Sequence, residues 1–219
     1  MESPSGCLLH GQNPGVRNVR LWLGIVAPVM VGGAVVNVSM AEPSVNPLKQ
    51  SISLLLDGPA GRLLRLALIM GGALLILYGW GLSRVHVQLL VAKSQAVSGV
   101  GLMITGFFMQ HGLAPLHGIR IPSPWGYLTG IGTLHILGAT IFYLALVMSA
   151  IFAAQGMGVK GAQWYSMATA IAMLGLLAVF IVTAATHGPS GLFERLVGMI
   201  ALAWELWLAT TAMTHQRHS

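Results

Sequence analysis

Long apolar stretches alternate with short polar ones along the whole chain, at Leu21 to Met40, Leu63 to Ser83, Ser94 to Ala114, Tyr127 to Ala153, Trp164 to Thr186 and Leu196 to Met213. A helix of roughly 20 residues crosses a hydrocarbon layer of about 30 Å, and these stretches are of that order. They stand out by length rather than by a period of one buried face. An open strand in lipid leaves its backbone groups unpaired, and the alternation of a barrel strand is missing. The fold class predicted is therefore all-α, a membrane-embedded bundle of six transmembrane helices.

Five loops join these spans: Ala41 to Arg62, Arg84 to Lys93, Pro115 to Gly126, Ala154 to Gln163 and His187 to Arg195. Gly158, Gly161, Pro189 and Gly191 mark turns in the last two. None has room for a soluble domain. The chain divides into a polar, Gly-, Pro- and Ser-rich tail over residues 1–20, read as disordered and cytoplasmic, a six-helix domain over 21–213 and a short tail over 214–219. Arg17 and Arg20 before an apolar run, with Ser39-Met40-Ala41 after it, also outline a signal peptide. The run is long for that role and its Gly32-Gly33 pair suits helix packing, so an uncleaved first span is the expectation.

Composition agrees: 55% of the 219 residues are hydrophobic and only 7% charged, against roughly 25% charged in soluble domains. The net charge of +6 is carried by single, scattered cations. Nucleic acid, which calls for a basic stripe with aromatic platforms, is excluded as a partner. Membrane lipids with anionic headgroups are the expected partners instead. Cys7 is the single cysteine, so neither an internal disulfide nor a thiolate metal cage can form. Glycines such as Gly71, Gly72, Gly79, Gly99, Gly101 and Gly106 fall inside spans, where small residues let backbones approach. They predict a tight bundle and are compatible with a homo-oligomer.

Basic residues near span ends favour the cytoplasmic side. Six of them (Arg17, Arg20, Arg84, Lys93, Lys160, Arg217) lie on the side of the termini and five (Lys49, Arg62, Arg65, Arg120, Arg195) on the other. That narrow margin, with Arg17 and Arg20 preceding the first span, places both termini in the cytoplasm of a multi-pass protein of the cell membrane.

Reactive groups gather on one side. Loops one, three and five share a membrane face, called here the odd-loop face. Asp57, His117, His187 and Glu194 lie in or beside them, with His111 near the end of the third span. His111, His117 and His187 could hold a metal, zinc being the natural ion for three imidazoles and a water, although their spacing matches no established motif. Asp57 or Glu194 would then serve as ligand or general base. His135 lies inside the fourth span and is expected to face protein and find a partner, Thr129, Thr133 or a group on a neighbouring helix.

Glu205 stands near the middle of the last span, where an ionised carboxylate costs at least about 2.5 kcal/mol. It must be neutral or paired, His135 being one partner to consider. The step from Glu194 to Glu205 returns to within about 20° of the same helix face, with Gly198 and Ala201 between, so this stripe should point into the bundle. For Glu194, which adjoins Arg195 at a loop end, a local ion pair or a helix N-terminal charge is expected. Ser51 and Ser53 belong to no nucleophile motif. The segment from Asn46 to Gly58, with Pro47 near its start, reads as a short surface helix across the bundle mouth or as an ordinary interfacial connector.

The order of these pieces resembles the domain of unknown function 998 family of prokaryotic multi-pass membrane proteins. The resemblance rests on Asn46 to Gly58, on His135 within the fourth span and on Gly191-Leu192-Phe193-Glu194-Arg195 opening the last. It implies a six-helix bundle in the plasma membrane and lends no activity. One departure is the third loop, where relatives tend to carry an Asp shortly after Phe-Pro and this chain reads Ile121-Pro122-Ser123-Pro124; Asp57 would have to fill that gap. Three functions follow as expectations. The first is a pocket at the extracytoplasmic mouth that binds a lipid or small amphiphile, with His111, His135 and Glu205 as ligand-binding candidates. The second is a metal-dependent hydrolase of lipids drawing on Asp57, Glu194 or Glu205. The third is a proton-coupled transporter relaying through Glu205 and His135.

Overall fold

The computed structural model describes residues 14–84, 88–108, 130–156, 158, 160–186 and 188–217. Its helices are α1 (Pro14–Ala41), α2 (Gly61–Leu82), α3 (Leu89–Phe107), α4 (Gly130–Gly156), α5 (Lys160–Ala185) and α6 (Ser190–Arg217), with a short 3₁₀ turn at Ile52–Leu56 in the first loop. All six α-helices are long and apolar enough to cross a membrane. The chain is thus an all-helical, multi-pass membrane protein.

Each helix packs against its neighbours in sequence, and α6 returns to α1, so the six close into a ring. The most buried span is α3 and the least buried is α5. Glycine explains the tightness around α3. A Cβ on Gly99 would strike the Gly72 carbonyl of α2, and one on Gly72 would strike the Gly99 carbonyl. On the other flank a Cβ on Gly101 would come within 2.7 Å of the Gly138 carbonyl of α4. Lipid tails are as apolar as leucine, so close backbone packing has to supply what the hydrophobic effect supplies in water. Val26, Val29, Leu66, Met70, Ile171 and Val182 point outward as the lipid-facing surface.

Two features of the fold bear on function. The first loop carries no surface helix; its 3₁₀ turn buries Leu55 and Leu56 completely or nearly so, at 0% and 2% exposure, as a plug in the bundle end. Helix α3 stops at Phe107, well short of Ala114, with Phe108 already extended at φ −102° and ψ 134°. The carbonyls freed by that early stop are taken by a side chain of α4, described below.

Candidate functional site

A loop at a membrane end must pair its backbone groups with protein, because lipid offers nothing. The first turns of α6 do this for loop one. Ser190 Oγ donates to the Lys49 carbonyl at 3.0 Å, and the Leu192 N–H to the Leu48 carbonyl at 3.0 Å. Arg195 Nη1 donates to the carbonyls of Pro47 at 2.7 Å, Gln50 at 3.0 Å and Gly191 at 3.0 Å. Glu194 Oε2 accepts the Ile52 N–H at 2.6 Å. Glu194 and Arg195 still attract each other, but their hydrogen bonds are divided: the carboxyl group takes the donor of loop one, the guanidinium takes its acceptors. At its far end the loop is tied by Glu42 Oε1, which accepts the Ala60 N–H at 3.0 Å.

Gly191 is where the clasp closes. A Cβ there would collide with the Gln50 carbonyl and lie 2.7 Å from that of Pro47. Gly191→Ala is expected to lower stability by about 1–3 kcal/mol, the usual cost of overpacking a filled site. Thermal unfolding of the purified variant in detergent checks it; an unchanged midpoint would mean the loop is not held there.

The clasp fixes Ser53, one residue beyond Ile52. Ser53 Oγ lies 2.9 Å from His135 Nε2. The other imidazole nitrogen, Nδ1, lies 3.0 Å from the Thr105 carbonyl and 2.9 Å from that of Phe108. Carbonyls only accept, so Nδ1 carries the hydrogen and, in the neutral ring, Nε2 offers its lone pair to the Ser53 hydroxyl. The acceptors belong to the C-terminal end of α3, where helix carbonyls lack partners and carry partial negative charge. His135 is only 1% exposed, so its ring has little freedom to turn.

Two cavities meet here. The larger, of about 630 Å³, runs between α4 and α5 under loop one and the start of α6. Its polar end holds Lys49, Ser51, Ser53, His135, Ser190 and Glu194; its length is walled by Leu144, Leu174, Leu177, Phe180 and Ile181. Leu144, Leu174 and Ile181 are 49%, 44% and 54% exposed on the lipid-facing side, so the cleft opens sideways. The second, of about 440 Å³ and called here the inner cavity, is bordered by α1, α2, α3, α4 and α6 and reaches the outer surface at Val36, Met40 and Met199. Ser53, Ala139, Tyr143 and Glu194 border both.

The inner cavity is lined by Glu194, Gly198, Ala201 and Glu205, the stripe that helical spacing pointed inward. Glu205 is 3% exposed, and among the described residues neither carboxyl oxygen has a hydrogen-bond partner. The Gln95 carboxamide lies beside it without a well-formed bond to it, and donates instead to Ser149 Oγ at 3.1 Å. Gln95 Oε1 and the Tyr78 hydroxyl are likewise buried without a partner. Four polar atoms from α2, α3 and α6 thus sit unsatisfied in the heart of the ring.

Of the residues singled out from sequence, His135 and Glu194 come together on the outer cleft, while Glu205 shares only the inner cavity with Glu194. The His135 ring is held by Ser53 and α3 carbonyls rather than by the Glu205 carboxyl, whose oxygens take no hydrogen bond. Asp57 caps the 3₁₀ turn, is exposed and borders neither cavity. His111, His117 and His187 lie outside the described residues. Among the described residues no group of three or more His, Cys, Asp or Glu is arranged to hold a metal. Ser53 was missed: its partner is 82 residues away in sequence, so no local spacing could announce it.

A family model described as "Protein of unknown function (DUF998)" matches residues 10–211. No curated protein and no solved structure matches the chain.

Proposed function

We propose, for a chain that belongs to the DUF998 family of proteins of unknown function, that the cleft between α4 and α5 binds one lipid or similar amphiphile entering sideways from the membrane. The supporting observation is a single cavity, polar at its loop end and apolar along its length, that opens toward lipid. Its volume of about 630 Å³ falls within the range of roughly 300–1,000 Å³ usual for ligand sites. Along α5 the lining runs from Leu174 to Ala184. Ten residues at 1.5 Å each make about 15 Å, half of a hydrocarbon layer of roughly 30 Å, so an acyl chain from one leaflet suits it. The headgroup then meets Lys49, Ser190 and the loop-one carbonyls.

We also place the odd-loop face outside the cell membrane and both termini in the cytoplasm, on the distribution of basic residues. Membrane lipid is the partner this reading names.

Native mass spectrometry of protein released from lipid nanodiscs tests it. The wild type is expected to retain about one lipid, and Ala178→Trp, which fills the cleft wall between the polar end and the lipid opening, is expected to lose it without unfolding. Wild-type protein that emerges bare, or equal retention by the tryptophan variant, would overturn the reading.

A further inference from the structure

Ser53 and His135 have a geometry that a simple structural hydrogen bond does not call for. The imidazole is held from behind by two carbonyls that fix its tautomer, and its Nε2 lone pair is aimed at the Ser53 hydroxyl, which borders the cleft. In serine hydrolases the same three functions are an attacking hydroxyl, a base at hydrogen-bond distance and a third group that orients the base. Here the orienting group is the C-terminal end of α3. Its carbonyls hold Nδ1–H, and their partial negative charge favours the imidazolium that forms when Nε2 takes a proton. Glu194 completes the support by fixing Ile52 at 2.6 Å and hence the backbone that carries Ser53.

We infer that Ser53 and His135 are a nucleophile and general base that cleave a carboxylic ester of an amphiphile lying in the α4–α5 cleft. This rests on the amphiphile-binding reading above. An acyl chain laid against Leu174, Leu177 and Ile181 brings the carbonyl at its head to the polar end, where Ser53 stands. Ser53 Oγ bonds to the carbonyl carbon while its proton passes to His135 Nε2. The carbon–oxygen bond to the alcohol then breaks, and Nε2–H protonates the departing alkoxide, which leaves as a free alcohol. Water attacks the acyl-Ser53 ester, giving its proton to Nε2. Ser53 Oγ departs, recovers that proton, and a fatty acid is released. Water is the only co-reactant, and no electrons are exchanged. Ser53 and His135 are the catalytic residues; Glu194 and the α3 carbonyls are positioning groups.

Ser51 is the neighbouring serine to exclude, since it borders the same cavity but its hydroxyl is buried and has no partner among the described residues. A long-chain alkyl fluorophosphonate is applied to the full chain in nanodiscs of phosphatidylcholine and phosphatidylglycerol, and the adduct is located by peptide mass spectrometry. The expected result is one adduct, on Ser53 and not on Ser51, absent from Ser53→Ala and formed about 100-fold more slowly in His135→Gln, the lower end of what a general base contributes. Wild-type protein is expected to release fatty acid from the nanodisc lipids while Ser53→Ala does not. No adduct, an adduct on Ser51 as readily as on Ser53, or a folded His135→Gln that reacts at the wild-type rate would overturn the catalytic pair. Where His135→Gln does not fold, the wild-type labelling rate in heavy water takes its place: slower labelling is expected of a reaction with proton transfer to a base, and an equal rate overturns the pair. Lipid retained without any adduct defeats the pair and leaves the binding reading intact; an adduct on protein that retains no lipid defeats the binding reading.

Discussion

Gly99→Val is expected to abolish the folded bundle, or to destabilise it by about 3 kcal/mol or more, the upper end of what overpacking costs. The reason is local and geometric. At Gly99 the backbones of α2 and α3 touch, so an added Cβ meets the Gly72 carbonyl and comes within 3.0 Å of the Ile76 nitrogen, atoms that cannot turn aside as a side chain can. Relief requires moving α2 away from α3, and α3 is already held on its other side by the Gly101–Gly138 contact. Gly175→Ala in α5 is the matched control, since nothing lies within 4 Å of its added Cβ. It should be neutral or raise stability by about 0.5–1 kcal/mol, the usual advantage of alanine over glycine within a helix. Size-exclusion profiles and thermal midpoints in the same detergent compare the two; equal midpoints would refute the claim that α2–α3 backbone contact organises the ring.

The second large effect separates two glutamates that share one helix face. Glu194→Leu is expected to destabilise the protein by about 1–3 kcal/mol, because the Ile52 N–H loses its acceptor and is left in a water-poor site. The start of the 3₁₀ turn then loosens, and Ser53 with it. Glu205→Leu removes two oxygens that have no partner, so its expected effect is within about 1 kcal/mol of zero. Denaturant titration or thermal unfolding of both variants checks the contrast. A Glu205→Leu variant that unfolds as readily as Glu194→Leu would refute the contrast.

Much of this architecture is legible without tertiary information. Lipid imposes a nearly local rule: a segment that spans it must satisfy its own backbone, so the length of an apolar run suffices to identify a helix. All six spans were found this way, and the inward stripe through Glu194, Gly198, Ala201 and Glu205 followed from helix periodicity alone. The residues on which the family resemblance rests, Asn46 to Gly58, His135 and Gly191 to Arg195, also prove to be the parts that meet in space. What periodicity could not supply was the identity of their partners. Glu194 adjoins Arg195 in sequence, yet its carboxylate binds Ile52, because a backbone donor facing a water-poor interior competes better than a cation with carbonyls of its own to serve.

Hydropathy, a local property, determined from the sequence by itself that this is a six-span membrane protein. Which of those side chains work together was decided only by the tertiary structure. The end of α3 depends on an imidazole of α4, the tautomer of that imidazole depends on the carbonyls it meets, and the orientation of Ser53 depends on a glutamate of α6. Each is a hydrogen bond between elements far apart in the chain, made because a buried polar group in lipid must find a partner wherever the fold brings one within about 3 Å.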